Sequence, residues 1–138
     1  MSDPAEVLVD TNILLRFLMN DHPEHSKRAK ALIERAGAGK VTLWVPFITI
    51  VETLFTLQSF YQIERGSIGL QLLKVLSAPG IKIAADSWIL EAIEEYRTRN
   101  VSFGDACLAA EARYKNLQIA SFDRGFDKFP GIVRFEAK

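Results

Sequence analysis

Short β-rich runs recur along this chain, and helix-length segments separate them. The runs are "EVLVD" (6–10), "VTLWVP" (41–46), "IKIAA" (81–85), "LQIAS" (117–121) and "IVRF" (132–135), each of strand length and bounded by turn residues or polar residues. Between the first two, "TNILLRFLMN" turns helical, and residues 23–39 read as a helix with Pro23 near its start and Gly37 as its stop. A long helix is predicted from about Thr49 to Glu64, and another over 67–80. Asp86 is expected to cap a helix carrying Ile89, Ile93 and Tyr96 at helical spacing, and 103–115 is a small-residue helix. Strands alternating with helices predict an α/β fold with a parallel sheet covered on both faces. In such folds ligands gather at the carboxyl ends of the strands.

With 138 residues, the chain is expected to form one domain, residues 1–138, with a sizeable core. Its 49% hydrophobic and 25% charged residues are those of an ordinary soluble protein. No apolar run approaches the roughly 20 residues of a membrane-spanning helix. The start, "MSDPAEVLVD", lacks a basic segment leading into a long apolar one, so the expected location is the cytoplasm, with no membrane partner. The single cysteine, Cys107, rules out an internal disulfide framework and a multi-cysteine zinc site. Lysines and arginines number 17, as do the acids. That balance argues against holding nucleic acid by bulk electrostatics. An enzyme acting on nucleic acid would then need local basic residues or a metal.

Many acids here have a basic neighbour three or four residues away, the pattern of a solvated helix face. Glu24 has Lys27 and Arg28, Glu34 has Lys30, Glu94 has Arg97, Glu95 has Arg99, and Glu111 has Lys115. Glu52 has no such partner, and neither does Asp105. Asp10 follows the apolar "VLV", and Asp123 follows "QIAS" after Phe122. These four sit at strand-to-helix junctions or in first helical turns. Taken singly, each is open to a capping reading: Thr49 with Glu52 matches the S/T-x-x-E capping box, and Ser102 with Asp105 resembles it. Taken jointly, they carry more weight: in a parallel sheet the junctions after neighbouring strands come together on one edge, and several carboxylates converging there repel unless a cation neutralises them. Oxygen-only donors in an open site suit Mg²⁺ or Mn²⁺. Such a site generates hydroxide from bound water and stabilises charge on a phosphodiester, without a nucleophilic Ser, Cys or His.

The stretches "VLVDTNILLRFL", "VETL", "FGDACLAAEA" and "IASFDRGFDKFPGI" together resemble the PIN-domain nucleases, most closely the VapC-type toxin branch. The resemblance runs from Val7 to about Ile132. It implies a three-layer α/β/α sandwich with a parallel sheet of about five strands, and a Mg²⁺- or Mn²⁺-dependent endoribonuclease. Carried over residue by residue, Asp10, Glu52, Asp105 and Asp123 form the acidic, metal-binding cluster. Asn12 would orient Asp10 by hydrogen bonding, Ser121 stands where the family has Thr or Ser, and Asp127 is an auxiliary acid. Arg16 and Arg124 are candidate contacts to RNA phosphates or to a partner protein. The branch further implies a homodimer, and a small antitoxin whose tail lies over the active site.

Several features have blander readings. "GAGK" (37–40) lacks the first glycine of a phosphate-binding loop and precedes a strand, so it is read as a helix stop. Cys107 reads as a small buried hydrophobe, and His22 and His25 lie in a loop or first turn. Lys27, Arg28 and Lys30 read as solvated charge. The helix carrying Phe47, Ile50, Leu54, Phe55 and Leu57 is apolar over more than one face, so it is either deeply buried or shared between subunits. Rival functions are a housekeeping RNA-processing nuclease and a non-catalytic binding module of the same fold. A phosphatase or response-regulator-like domain fits less well, because "DTN" lacks the second Asp of D-x-D.

Overall fold

A computed structural model of the chain describes residues 3–137. They divide into two units, one ending at Asp86 and one beginning at Ser87. The first contains β1 (Ala5–Leu8), α1 (Thr11–Met19), α2 (Pro23–Gly37), β2 (Val41–Pro46), α3 (Phe47–Ser59), α4 (Arg65–Leu76) and β3 (Ile81–Ala84). The second contains α5 (Trp88–Thr98), α6 (Phe103–Lys115), β4 (Ile119–Ala120), a 3-10 helix (Arg124–Lys128) and β5 (Arg134–Phe135). The chain is α/β, and every strand pairing among the described residues is parallel. The five expected strands are present, hydrogen-bonded as a three-stranded sheet in the first unit and a pair in the second.

In the first unit the order is β1-β2-β3, so β2 is central. Its residues alternate: Val41, Leu43 and Val45 are buried, while Thr42, Trp44 and Pro46 are partly exposed, the period of a pleated strand with one face on a core. Register is fixed on the other face as well. Trp44 Nε1 donates to Glu6 Oε1 at 2.9 Å, and Lys82 Nζ lies 5.3 Å from the centre of the Trp44 ring. A one-residue slip would move this row to the opposite face. At the entry to β3, Gly80 has φ +81°, and a Cβ there would stand 2.1 Å from the Ala36 carbonyl oxygen. Only glycine allows β3 to begin so close to the end of α2.

Two helix boundaries differ from the sequence expectation, for local reasons. α3 starts at Phe47, not Thr49, because Pro46 takes the N-cap position with φ −69°; proline's missing N–H costs nothing at a helix start. It stops at Ser59, not Glu64, as the chain turns through Gln62 at φ 55° and Ile63 N donates back to Leu57 O. α4 runs over Arg65–Leu76 instead of 67–80, ended by Ser77 Oγ donating to Leu73 O at 2.7 Å and by Pro79, which cannot continue a helix. The N-cap of α5 falls on Ser87, one residue after the expected Asp86.

α3 buries Ile50, Leu54 and Leu57 completely, yet Ile48 and Phe55 on its other side are 58% and 44% exposed. The all-round apolar helix is therefore not wholly internal. Its buried face also carries Thr53, fully buried, whose hydroxyl has no hydrogen-bond partner among the described residues.

The second unit packs α5 against α6 through small residues. Ala106, Ala109, Ala110 and Ala112 are all buried, and Tyr96 meets Phe103 edge to face at 5.9 Å. Ala109, Ala112, Ile119, Phe126 and Phe129 form a continuous apolar cluster. Glu95 ties the helices to the last loop. It pairs with Arg99 at 2.7 Å and Arg113 at 2.6 Å, and these arginines donate to the Lys128 and Pro130 carbonyls. Of the expected helix-face pairs, Glu94–Arg97, Glu95–Arg99 and Glu111–Lys115 form, whereas Glu24 and Glu34 pair with none of Lys27, Arg28 and Lys30.

Thr53→Val removes a buried, unsatisfied hydroxyl while keeping the β-branched shape, and should raise unfolding stability by about 1 kcal/mol. Urea denaturation checks this: an unchanged or lower midpoint would mean the hydroxyl is satisfied after all.

Candidate active site

The site in the first unit begins where β1 ends. Val9 N donates to Trp44 O at 2.9 Å, the last rung between β1 and β2. The next residue, Asp10, is the N-cap of α1, extended at φ −81° and ψ 154°. Its carboxylate makes no capping hydrogen bond and is exposed. Helix capping, the blander reading of this acid, therefore does not describe it.

Glu52 is not capping either. With Pro46 at the N-cap, Thr49 lies inside the first turn of α3, and its buried hydroxyl donates to the Val9 carbonyl at 2.8 Å. The expected Thr49–Glu52 capping box is thus replaced by a tertiary contact. One helical turn on, on the same face, Glu52 Oε2 accepts from Thr11 Oγ1 at 3.0 Å. Residues 49 and 52 of α3 so grip residues 9 and 11, on either side of Asp10. Thr11 was not singled out by the sequence; an unremarkable helix-start threonine becomes informative only when its partner is 41 positions away.

Asp10 also lines a groove of about 690 Å³, together with Asn12 and Arg16. Asn12 is exposed and its amide makes no side-chain hydrogen bond among the described residues, so the bond expected to orient Asp10 is not formed. Arg16 is engaged: its guanidinium pairs with Asp21 at 3.1 Å, and Tyr61 donates to the same carboxylate at 2.6 Å. The Tyr61 hydroxyl, with Arg16, holds the Asp21 carboxyl below its ordinary value of 3.8. In return the Asp21 carboxylate holds the Tyr61 phenol above its ordinary 10.0.

In the second unit, Ser102 is the N-cap of α6, accepting from Asp105 N at 3.1 Å. This is half of the expected capping box; the Asp105 carboxylate does not complete it and is half-buried. Asp123 is different, because its Oδ1 accepts from Gly125 N at 2.7 Å and caps the 3-10 helix. Ser121 Oγ in turn accepts from Asp123 N at 2.9 Å and fixes that turn. Asp127 pairs with Arg134 at 3.2 Å. Arg124 is exposed at the start of the 3-10 helix. Burial, with Glu111 nearby, pushes the Cys107 thiol up to about 12, so it stays protonated and is no nucleophile.

Among the described residues no group of three or more His, Cys, Asp or Glu side chains is gathered as a metal-holding cluster. Within the first unit, Asp10 and Glu52 nonetheless fit a hard cation in their chemistry. Both are exposed and offer only oxygens, and Mg²⁺ is commonly held by one or two carboxylates with waters and phosphates completing its shell.

Residues 7–132 match the PIN domain family. The chain belongs to that family. A curated relative, the VapC ribonuclease of Aquifex aeolicus (strain VF5), is 28% identical over 122 residues, covering 88% of this chain and 90% of the relative. Among the described residues no helix is long and apolar enough to cross a membrane.

The Arg16–Asp21–Tyr61 contact has a defined pH window. Asp21, with its lowered value, contributes stability above its unfolded value near 3.8, and this is lost as pH falls through the folded value. Tyr61, with its raised value, contributes below 10.0, and this is lost as pH rises through its folded value. In Asp21→Asn, tyrosinate absorbance should show one of the three tyrosines titrating at lower pH than in the parent. Superimposable titration curves would refute the coupling.

Proposed function

We propose that this chain is a Mg²⁺- or Mn²⁺-dependent endoribonuclease, hydrolysing RNA phosphodiester bonds, and the toxin of a toxin–antitoxin pair. The observation that carries the proposal is Asp10. At the carboxyl end of a parallel strand, its carboxylate is left uncapped, faces a groove, and has Glu52 held beside its neighbour Thr11. The unbroken family match over residues 7–132 supports reading 1–138 as a single nuclease domain. The relative named VapC ribonuclease supports RNA as the substrate.

In this reading Asp10, Glu52, Asp105 and Asp123 are the acidic residues of the reaction, assigned by their order and context in the matched span. A bound divalent ion supplies water activation near neutral pH and stabilises charge on the phosphate. The chain's own residues orient the ligands. Thr11 fixes the Glu52 carboxylate, and Ser121 fixes the turn that carries Asp123. Asn12 and Asp127 are auxiliary, and Arg16 and Arg124 are candidate phosphate contacts. The protonated Cys107 thiol leaves the chain without an activated cysteine nucleophile. The exposed apolar side of α3 suits a homodimer contact, and a small antitoxin covering the active site is the expected regulator.

Asp10→Asn and Asp105→Asn should each abolish Mg²⁺-dependent cleavage of total RNA while circular dichroism and thermal unfolding stay close to the parent. Retained cleavage in either purified variant would sink the assignment. Thr11→Val should cut the cleavage rate by about 10- to 100-fold and raise the Mg²⁺ concentration needed for half-maximal rate, as loss of a ligand-orienting bond does. Thr11→Ser should restore both. If Thr11→Val leaves the Mg²⁺ requirement unchanged, the hydroxyl does not position Glu52 for metal.

A further inference from the structure

We infer that the groove beside Asp10 is a binding track for single-stranded RNA, with Arg28 and Arg35 of α2 as its phosphate contacts. This rests on the nuclease reading above and assigns to α2 a role that its sequence did not suggest.

The groove lies wholly in the first unit, walled by α1 and α2. From α2 it receives His25, Arg28, Leu32 and Arg35, residues three, four and three positions apart and hence on one helix face. From the start of α1 it receives Asp10, Asn12, Ile13 and Arg16. The groove thus holds three guanidinium groups against one carboxylate, in a chain whose net charge is zero. Arg16 is partly neutralised by Asp21. Arg28 and Arg35 are exposed, and neither makes a side-chain hydrogen bond or ion pair among the described residues. Their charge is available to a ligand.

An anionic polymer fits this arrangement better than a single anion. Seven residues of helix separate the two arginines by about 10 Å along the axis, so they serve separate phosphates. Guanidinium forks bind phosphate oxygens in pairs. Between them the floor is apolar, with Ala29 1% exposed and Ile13 and Leu32 partly buried, a surface for ribose and unpaired base faces. At about 690 Å³ the groove is of the size that accepts a nucleotide-scale ligand. On the nuclease reading the occupant is RNA and not an acidic peptide, although the bare Asp10 carboxylate repels both. A peptide gains nothing from this uncapped carboxylate, whereas a strand whose scissile phosphate approaches Asp10 would lay its flanking phosphates toward α2.

Binding is separated from cleavage by working in EDTA. A 5′-labelled single-stranded RNA is titrated with the parent, Arg28→Ala/Arg35→Ala and Arg28→Lys/Arg35→Lys, by fluorescence anisotropy at several salt concentrations. Alanine is a better helix former than arginine, and circular dichroism verifies the fold. The alanine double variant should bind about 10-fold more weakly, with the slope of log affinity against log salt reduced by about 1.4, two phosphates at about 0.7 each on a single strand. The lysine variant should keep most of that slope. In Mg²⁺, the alanine variant should raise KM and leave kcat within about twofold of the parent. Parent-like affinity and slope in the alanine variant would overturn the inference even if cleavage is intact. So would an acidic peptide, oligoglutamate, that depends on the two arginines while RNA does not, since the groove would then dock protein. Failure of the nuclease reading shows separately, as Asp10→Asn protein that still cleaves.

Discussion

Two threonine hydroxyls hold the candidate active site of the first unit together. Thr49 donates to the Val9 carbonyl from a buried position, and Thr11 donates to Glu52. A carbonyl at the end of a strand that enters a helix has lost its ladder partner, and a buried one left unpaired is costly. Thr49 meets that need and so fixes the height of α3 against the end of β1. Glu52, three residues further, is thereby delivered to the start of α1. Asp10, between Val9 and Thr11, is left with an extended backbone and an uncommitted side chain. The fold thus satisfies the backbone around this acid and leaves its carboxylate to solvent and ligand.

The two units solve different packing problems. In the first, β-branched and aliphatic residues of β2 alternate between a core face and a face occupied by Glu6, Trp44 and Lys82. Helices of ordinary composition pack on that core. The second has little sheet, and its helices approach through alanines, with Glu95 and two arginines binding the last loop by charge-assisted bonds. The Glu95 side chain is only 11% exposed, so these pairs are less screened than the exposed Glu94–Arg97 and Glu111–Lys115 pairs.

The arginines divide by what surrounds them. Arg99 and Arg113 are structural, their guanidinium groups spent on Glu95 and on carbonyls. Arg16 is shared between Asp21 and the groove. Arg28 and Arg35 have no side-chain partner among the described residues, and both line the groove that contains Asp10. In a chain of balanced charge, this local surplus is what a polyanionic substrate can use.

Much of the fold was legible because it depends on local pattern: the five strands, their alternation with helices, and the starts and stops at Pro23, Gly37 and Ser102 follow from neighbouring residues. The start of α3 is not legible from the sequence because Pro46 and Thr49 both suit a helix start; Pro46 takes the N-cap, and Thr49's hydroxyl goes to a distant carbonyl. The acids of interest were found from the sequence by what they lacked, a basic residue at helical spacing. Capping and ligand roles could not be separated that way, since both place an acid in a first turn. Tertiary structure separated them for three residues: Asp123 caps, Asp10 does not, and Glu52 bonds to Thr11. By itself, then, the sequence determined the α/β class and which acids stood without local partners, because periodicity and spacing act over a few residues. Only the tertiary structure decided that Thr49 serves β1, that Thr11 holds Glu52, and that Arg28 and Arg35 share a groove with Asp10. Those contacts join positions that chain proximity does not link.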